Sequence, residues 1–433
     1  MNLTLKRMFA LLSSICLMMS CFVLATAEES GMESLPVKDM GGRVFHFGWG
    51  SPIDHEVYEP WMLEIEKKYN CVIEFGNPGD ANAIAVSIKG ETPLADIIEV
   101  SEENFYKFVQ QGLLLDLNAM ENFYPTDTRY YWKSVTNGTT VDGKIYGVSD
   151  GLGLWRTLLL YNKDIINGED DLQLLADKGE LTWDKLAEVL QKVGNSGKKP
   201  LAGQMYDSNI LEAFIAANGG AIYERDGLSF RCVYDSVNTR NAITYVQDLY
   251  RNNCIFSNTG NYMYPQTQFA RGKVGAYIAS DWNIQFIYEK AKFDIGIVLL
   301  PLGPDTDGAN AGLTQHTFNC FAIPATVENP EDVALVWSAY VKANAESGFG
   351  KSDWYEFWSD IVDDEKNMEV LSVYAKAMEE GTCTIDYKYA VTQLYDDDLF
   401  SRQEDATRAL ITAQAYLESV VPIYEAKAAD LSQ

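Results

Sequence analysis

The chain has 433 residues, of which 47% are hydrophobic and 12% aromatic, so it can bury a large core and is not disordered throughout. Its 34 basic and 62 acidic side chains give a formal net charge of −28, which excludes nucleic acid as a partner and disfavours anionic membrane surfaces. The length allows two or three domains, and the charge leaves a neutral ligand open.

The first residues are typical of an export signal. Lys6 and Arg7 precede an apolar stretch at residues 8–24, and residues 25–27 match an A-x-A cleavage site. We therefore expect residues 1–27 to be a signal peptide.

A second interpretation of this segment stays open. Cys21 follows Met18-Met19-Ser20, which loosely resembles a bacterial lipoprotein box. A lipid on Cys21 would anchor the chain to the outer face of the cytoplasmic membrane. Either interpretation predicts an extracytoplasmic protein, secreted, periplasmic or lipid-anchored. Residues 28–42 then form a polar lead-in.

The first third of the body alternates strands and helices. The predicted elements are a strand at 43–49, a helix from Pro60, strands at 72–75 and 95–100, and a helix at 103–111. Such alternation predicts parallel strands with helices on both faces of the sheet.

The rest of the chain becomes helix-rich before strands return. The predicted elements are strands at 144–148 and 157–161, a helix capped by Thr182, helices at 211–218 and 242–250, strands at 273–279, 295–300 and 316–323, a helix from Asn329-Pro330, and helices from 351 onward. This order predicts an α/β fold of two lobes joined by several crossings.

The cysteines do not indicate a metal or redox function. Five of the seven follow residue 27, with no CxxC motif and no zinc-like spacing. Cys232 and Cys254 are a candidate disulfide pair in an exported protein, and buried free thiols are the alternative.

A series of motifs in a fixed order resembles one protein family. They are ADII at 95–98, QGLLLDL at 111–117, DGKIYGV at 142–148, LLYNKD at 159–164, LTWDKL at 181–186, FARGKVGAY at 269–277, FDIG at 293–296 and LPLGP at 300–304. Val274, Gly275 and Tyr277 depart from the small residues and the Met that the family prefers. Over residues 43–345 the chain resembles the family 1 extracellular solute-binding proteins, the sugar-type receptors of ABC importers.

This resemblance implies a periplasmic-binding-protein-like fold whose second lobe is helix-rich. The implied division is lobe 1 at 43–152 plus 302–341, lobe 2 at 158–296 plus 346–433, and hinge crossings near 152–158, 296–301 and 341–346. The implied partners are a small-molecule solute, a sugar in the first place, and ABC transporter permease subunits. We expect a monomer without a cofactor.

Sugars present apolar C–H faces and a rim of hydroxyls, so Trp and Tyr stack on them while polar side chains bind the rim. In α/β sheets such ligands bind beyond the strand ends. The candidate ligand-binding residues are Trp49, Ser51, Asp54, Ser101, Glu102, Asp150, Trp155, Asp281, Trp282, Asn283, Thr314, His316, Trp354 and Tyr355.

Structural roles remain open for several candidates. Asp54 can cap the next helix, His316 can be a structural histidine, and Trp354 can belong to the core together with Trp358 four residues later. Most aromatic residues of the chain are expected in the core.

Motifs for catalysis and cofactor binding are not found. The sequence has no Gly-x-Ser-x-Gly, His-Glu-x-x-His, Walker or Gly-x-Gly-x-x-Gly motif and no complete calcium loop. We therefore predict no catalytic residue and no metal. Two alternatives stay open: a receptor for a peptide, polyamine or metal chelate, and an extracellular carbohydrate-active enzyme with paired carboxylates.

Overall fold

The structure is a computed structural model. It describes residues 31–50, 52–151, 158–203, 208–233, 236–256, 263–306, 313–315, 318–348, 350–385 and 387, without the side chains of residues 208, 209, 232, 281, 282, 314 and 315.

The strands of the described residues are β1 (Arg43–Gly48), β2 (Cys71–Phe75), β3 (Ile97–Ser101), β4 (Thr140–Val141), β5 (Lys144–Ile145), β6 (Leu158–Asn162), β7 (Lys199–Gly203), β8 (Tyr223–Asp226), β9 (Ser229–Cys232), β10 (Val274–Ala279), β11 (Ile295–Leu299), β12 (Thr314–Gln315), β13 (Asn319–Ala322) and β14 (Thr384–Ile385).

The α-helices are α1 (Pro60–Tyr69), α2 (Ala81–Lys89), α3 (Glu102–Gln110), α4 (Lys133–Thr139), α5 (Leu172–Asp177), α6 (Trp183–Asn195), α7 (Ser208–Ala217), α8 (Val237–Arg251), α9 (Tyr264–Ala270), α10 (Asp281–Lys290), α11 (Pro330–Glu346), α12 (Trp354–Ile361) and α13 (Glu365–Glu380). Short 3-10 helices lie at Met32–Ser34, His55–Val57, Leu117–Ala119, Gly168–Asp170 and Lys351–Asp353.

The first sheet has the strand order β13-β3-β1-β2. β1 is parallel to β2 and β3, whereas β13 is antiparallel to β3. Phe45 and Phe47 of β1 are fully buried, as the alternation of bulky residues in this strand predicts. The parallel strands predicted for the first third of the body are confirmed.

The second sheet has the strand order β11-β6-β10-β7. β6 is antiparallel to β10 and β11, and β10 is parallel to β7. All five residues of β6 are buried, so this strand is covered on both faces and its sequence is a continuous apolar run.

The chain passes from one sheet to the other at the strand ends on one side of each sheet. β6 begins at Leu158, opposite Ala279 at the end of β10 and Leu299 at the end of β11. β13 begins at Asn319, opposite Ser101 at the end of β3. We call these two ends of the sheets the crossing edges. The first sheet falls within predicted lobe 1. The second falls within predicted lobe 2 except for the end of β11, which lies in the predicted hinge at 296–301, and the lobe boundaries themselves remain a prediction.

One predicted crossing differs from the structure. Residues 296–301 do not cross, because most of this segment is strand β11 and Trp183 Nε1 donates a hydrogen bond to the carbonyl of Pro301 at 2.8 Å. Gly303 N donates to Ala217 O at 2.8 Å, so the chain stays with the second sheet beyond the predicted point. Residues 341–346 are the last residues of α11, and the crossing near them stays a prediction.

Helix α11 covers the first sheet. Pro330 occupies the first turn of α11, where its missing N–H costs nothing. The inner face predicted for it is confirmed, because Val333, Val336, Trp337, Tyr340 and Val341 are buried.

Asn367 fixes helix α13 against β11, an edge strand. Its Oδ1 accepts hydrogen bonds from Ile297 N at 2.7 Å and Gln173 Nε2 at 2.8 Å. Its Nδ2 donates to Ile295 O at 2.8 Å and Tyr288 Oη at 3.0 Å. The buried amide thus supplies the pairing that a further strand would give, and protects the edge.

Cys254 carries a free, buried thiol, so the candidate disulfide between Cys232 and Cys254 is wrong for this structure. Its sulfur lies 3.7 Å from the carbonyl oxygen of Asn252. Cys71, Cys320 and Cys383 are also free, and burial raises the pKa of the Cys71 thiol to about 11.

The Thr182→Ala variant should lose about 1 kcal/mol of stability, because Thr182 Oγ1 accepts the hydrogen bond from Lys185 N at 3.2 Å at the start of α6. Thr244→Ala is the matched control, since Thr244 is an exposed interior residue of α8. Urea unfolding measures both variants, and equal losses would contradict the capping role.

Candidate functional site

Trp49 directly follows β1 at the crossing edge of the first sheet. It is half-buried, and its indole ring lies among other aromatic rings, with centroid distances of 5.0 Å to Phe75 and 4.9 Å to Phe321. We call this group the aromatic platform. Its members are Trp49, Phe47, Phe75, Phe321, Trp337 and Tyr340.

The platform joins four parts of the chain. Phe47 and Trp49 come from the end of β1, Phe75 from β2, Phe321 from β13, and Trp337 and Tyr340 from α11. Edge-to-face and stacked ring pairs of this kind hold aromatic side chains in defined positions. The platform therefore gives Trp49 a rigid support while leaving part of its ring exposed.

Asp150 is a buried carboxylate beside the platform. It is 7% exposed and lies just before the first crossing. Burial raises its pKa to about 6. Burial also raises the pKa values of Tyr131 and Tyr340, and the negative charge of Asp150 raises them further, which places both rings near this carboxylate.

Polar atoms around Asp150 lack hydrogen bonds. Tyr131 Oη and Trp337 Nε1 are buried, and neither has a hydrogen bond of acceptable geometry within the described residues. Within the described residues, the Asp150 carboxylate forms no ion pair with a Lys or Arg side chain. A buried carboxylate beside buried donors without hydrogen bonds lowers the stability of the fold. Such a cost is typical of groups that are kept for binding.

The other candidates of the first sheet make local contacts. Ser101, at the end of β3, accepts a hydrogen bond from Asn104 Nδ2 at 3.3 Å. Glu102 is fully buried, and its backbone N–H donates to Phe318 O at 2.7 Å. Asp54 is exposed and accepts from Glu56 N at 3.1 Å, which is the capping contact named as its alternative.

Helix α10 begins directly after β10, at the crossing edge of the second sheet. Asp281 and Trp282 are its first residues, and their side chains lie outside the described part of the chain. Asn283 is fully buried in a capping box, where its Oδ1 accepts from Ser280 N at 3.2 Å and its Nδ2 donates to Gln266. Since both ends of this amide are used internally, we leave Asn283 out of the proposed ligand set.

The last candidates lie on helix α12, after the third predicted crossing. Trp354 is buried, as is Trp358 on the same face. Tyr355 is 58% exposed, with its ring centroid 6.3 Å from that of Trp354. Trp354 therefore belongs to the core, and Tyr355 is free to meet a ligand.

Several candidates lie outside the described residues. Ser51, Trp155, His316 and Cys21 are among them, and of Thr314 the structure describes the backbone, in β12.

Sequence reasoning did not select Tyr131, Phe321, Trp337 or Tyr340 as site residues. The spacing of Trp337 and Tyr340 on α11 indicated a core face, which is correct. This spacing could not show that the two rings pack against the ends of β1 and β13.

The described residues contain no group of three His, Cys, Asp or Glu side chains placed to hold a metal ion. Within the same residues, no helix is both long and apolar enough to span a membrane.

The sequence profile of one family, described as bacterial extracellular solute-binding protein, matches residues 64–368. No curated protein matches the chain. Among solved structures, a cyclo/maltodextrin-binding protein in complex with maltotetraose is similar, with 16% identity, a TM-score of 0.64 and coverage of 91% of this chain and 98% of that one.

Two further solved structures share this fold. The GacH receptor of Streptomyces glaucescens, determined unliganded and with acarbose, has 16% identity, a TM-score of 0.58 and coverage of 86% of this chain and 93% of that one. A family 1 extracellular solute-binding protein of Alicyclobacillus acidocaldarius has 15% identity, a TM-score of 0.61 and coverage of 88% and 98%. At these identities the likeness establishes the fold, an α/β architecture of two lobes.

Proposed function

The chain belongs to the bacterial extracellular solute-binding proteins, and from this premise we propose that it captures a carbohydrate, in the first place an oligosaccharide, and delivers it to an ABC transporter permease. As a member of that family it binds a small solute outside the cytoplasm and is not an enzyme. The resemblance seen in its sequence motifs is thereby confirmed.

The observation that carries the carbohydrate proposal is the pairing of the aromatic platform with Asp150. A half-exposed indole can stack on the apolar face of a sugar, and a desolvated carboxylate can accept hydrogen bonds from sugar hydroxyls. Hydrogen bonds to charged groups contribute about 1.5–3 kcal/mol each. Similar folds with maltotetraose or acarbose bound support this ligand class.

We propose that the ligand lies between the two crossing edges and favours a closed arrangement by touching both lobes. Trp49 and Asp150 would contact it from the first lobe, and Trp282 from the start of α10. The further proposed contacts are Ser51, Ser101, Glu102, Trp155, Asp281, Thr314, His316 and Tyr355.

Export and oligomeric state are part of the same proposal. We propose that residues 1–27 direct export, with a lipid on Cys21 as the alternative, and that the protein works as a monomer. Mass spectrometry of the protein from its membrane fraction distinguishes a chain beginning at Glu28 from a lipid-modified Cys21.

A thermal-shift screen of residues 28–433 against oligosaccharides tests the ligand class. A sugar at about 100 times its dissociation constant should add about 2.7 kcal/mol of stability. Peptides, polyamines and metal chelates belong in the same screen. Stabilisation by one of these, with no response to any sugar, would contradict the carbohydrate proposal.

The Trp282→Ala variant should weaken sugar binding at least tenfold, because it removes the aromatic side chain that we propose stacks on the sugar. Isothermal titration calorimetry measures this loss. Trp282→Phe is the control, since it keeps an aromatic ring and should retain most of the affinity. Unchanged affinity of a folded Trp282→Ala variant would remove this residue from the site.

A further inference from the structure

We propose that the chain carries a second binding site, a basic pocket at the outer edge of the second sheet, which takes a ligand group with two or more negative charges, such as phosphate. This inference does not depend on the carbohydrate proposal, because it concerns other residues at the opposite end of the sheet.

The basic pocket is a cavity of about 610 Å³, which lies within the usual size of small-molecule sites. The cations that line it are Lys198, Arg271, Lys290 and Lys292, all exposed at the surface. Asp164 is the acidic residue of the lining, and Phe293 forms an apolar wall. The lining therefore carries a net charge of +3, four cations minus one carboxylate, in a chain of net charge −28.

The pocket is separate from the candidate carbohydrate site. It lies where β6 ends, at Asn162, and where β10 and β11 begin. The crossing edge is at the other end of these strands, about 15 Å away at roughly 3.3 Å per residue. A ligand at the crossing edge therefore leaves the pocket free.

The four cations make no ion pair with any described residue. Within the described residues none of them contacts a carboxylate closely enough to form a salt bridge. Elsewhere the chain does pair its lysines: Lys192 lies 2.9 Å from Asp170 and 3.0 Å from Glu188. Four unpaired cations in one concave place, within so acidic a chain, create a local positive potential that attracts anions.

Helix ends give the alternative explanation for these cations, because α6, α9 and α10 all end at this edge and cations stabilise helix C-termini. Backbone groups already cap these ends, as in the hydrogen bonds from Ser196 N to Lys192 O at 3.1 Å and from Ala291 N to Ile287 O at 2.8 Å. Within the described residues no side chain of the four cations donates to a helix carbonyl. Their N–H groups are thus available to a ligand.

Asn162 adds a buried neutral donor to the pocket. It is 2% exposed, and its Oδ1 accepts a hydrogen bond from Asp164 N at 2.9 Å. Its Nδ2 has no acceptor among the described residues, and a side chain at Gly272 would meet it at 3.5 Å. An oxygen of a bound anion would satisfy this donor.

This set of groups suits a phosphate better than a monoanion. A guanidinium binds two oxygens at once, ammonium groups act as point charges, and the attraction of the positively charged lining grows with the number of negative charges on the ligand. The phosphate could belong to a free solute or to a lipid headgroup that ends in a phosphomonoester, and both sources share this chemistry.

Titration calorimetry of residues 28–433 with sodium pyrophosphate at low ionic strength tests the proposal. We expect saturable binding that weakens as NaCl is added. The Arg271→Gln/Lys292→Gln variant should bind at least tenfold more weakly, and Lys198→Gln/Lys290→Gln is a second variant should the first fail to fold. Lys67→Gln/Lys89→Gln is the control, because it makes the same change in net charge at exposed positions outside the pocket.

Three results would overturn the proposal. They are equal binding by the wild type and both pocket variants, a loss of affinity in the control as large as in the pocket variants, and no binding at 5 mM pyrophosphate. A sedimentation assay with phosphatidylcholine vesicles containing about 20% phosphatidic acid, whose phosphomonoester can carry two negative charges, distinguishes the sources. Co-sedimentation lost in the pocket variants would support the site and assign the anion to a lipid. Pyrophosphate binding without co-sedimentation would support it and assign the anion to a solute.

Discussion

Replacing Asp150 with Asn should weaken ligand binding at least tenfold and at the same time stabilise the ligand-free protein by about 3 kcal/mol at pH 7. The carboxylate is buried, its pKa is raised to about 6, and no cation among the described residues pairs with it. Asn has nearly the same shape without the charge, so the fold no longer bears the cost of a buried anion. A site that sacrifices stability for binding should respond in these opposite directions.

The pH dependence of this effect has a defined sign. The Asp150 pKa is higher in the folded protein than in the unfolded chain, so the folded state keeps a proton that the unfolded state releases between about pH 4 and 6. The stability that Asp150 contributes therefore falls as the pH rises through this window, and then stays constant.

Urea unfolding of the wild type and of Asp150→Asn at pH 4 to 8 measures the difference. We expect equal stabilities near pH 4 and a growing advantage of the variant up to pH 6. Asp363→Asn, at an exposed carboxylate, is the control and should show neither effect. A stability difference independent of pH, or unchanged sugar affinity, would contradict the role of Asp150.

The Trp337→Ala variant should lose about 4 kcal/mol of stability, because Trp337 is fully buried and lies within 5.8 Å, centroid to centroid, of Trp49, Phe47 and Phe321. The cavity left behind also removes the support of Trp49. We therefore expect the folded variant to bind sugar at least fivefold more weakly.

Trp337→Phe separates packing from the indole N–H. It keeps most of the aromatic volume and removes a buried Nε1 that lacks a hydrogen bond, so its loss should be at most half that of Trp337→Ala. Unfolding in urea and titration with sugar measure both properties. Equal stability losses for the two variants would show that ring packing at Trp337 does not hold the platform.

Local sequence signals predicted the elements well. Pro60 begins α1, Thr182 caps α6, and the apolar spacing after Asn329 gave the buried face of α11. These signals act within a few residues, so a sequence carries them directly. The second crossing was predicted too early in the sequence. Hydrogen bonds of Trp183 and Ala217 to residues 301 and 303 keep the chain with the second sheet, and no local pattern reveals such contacts.

The candidate site was predictable in part. Trp49 was selected because it follows a strand end and Asp150 because it lies at the first predicted crossing, and the structure places both beside one aromatic group. Phe321 and Tyr340, the partners of Trp49, come from segments about 270 and 290 residues later, and only folding brings them together. Asn283 was selected by position alone, and its buried capping contacts were not visible in the sequence.

Small-angle X-ray scattering of residues 28–433 with and without a saturating oligosaccharide tests the central claim most directly. If two lobes close around an uncharged sugar, the radius of gyration should decrease on addition of the sugar, and the sugar should be recovered intact. A radius of gyration that stays the same with every carbohydrate tried, in a folded protein, would contradict the account.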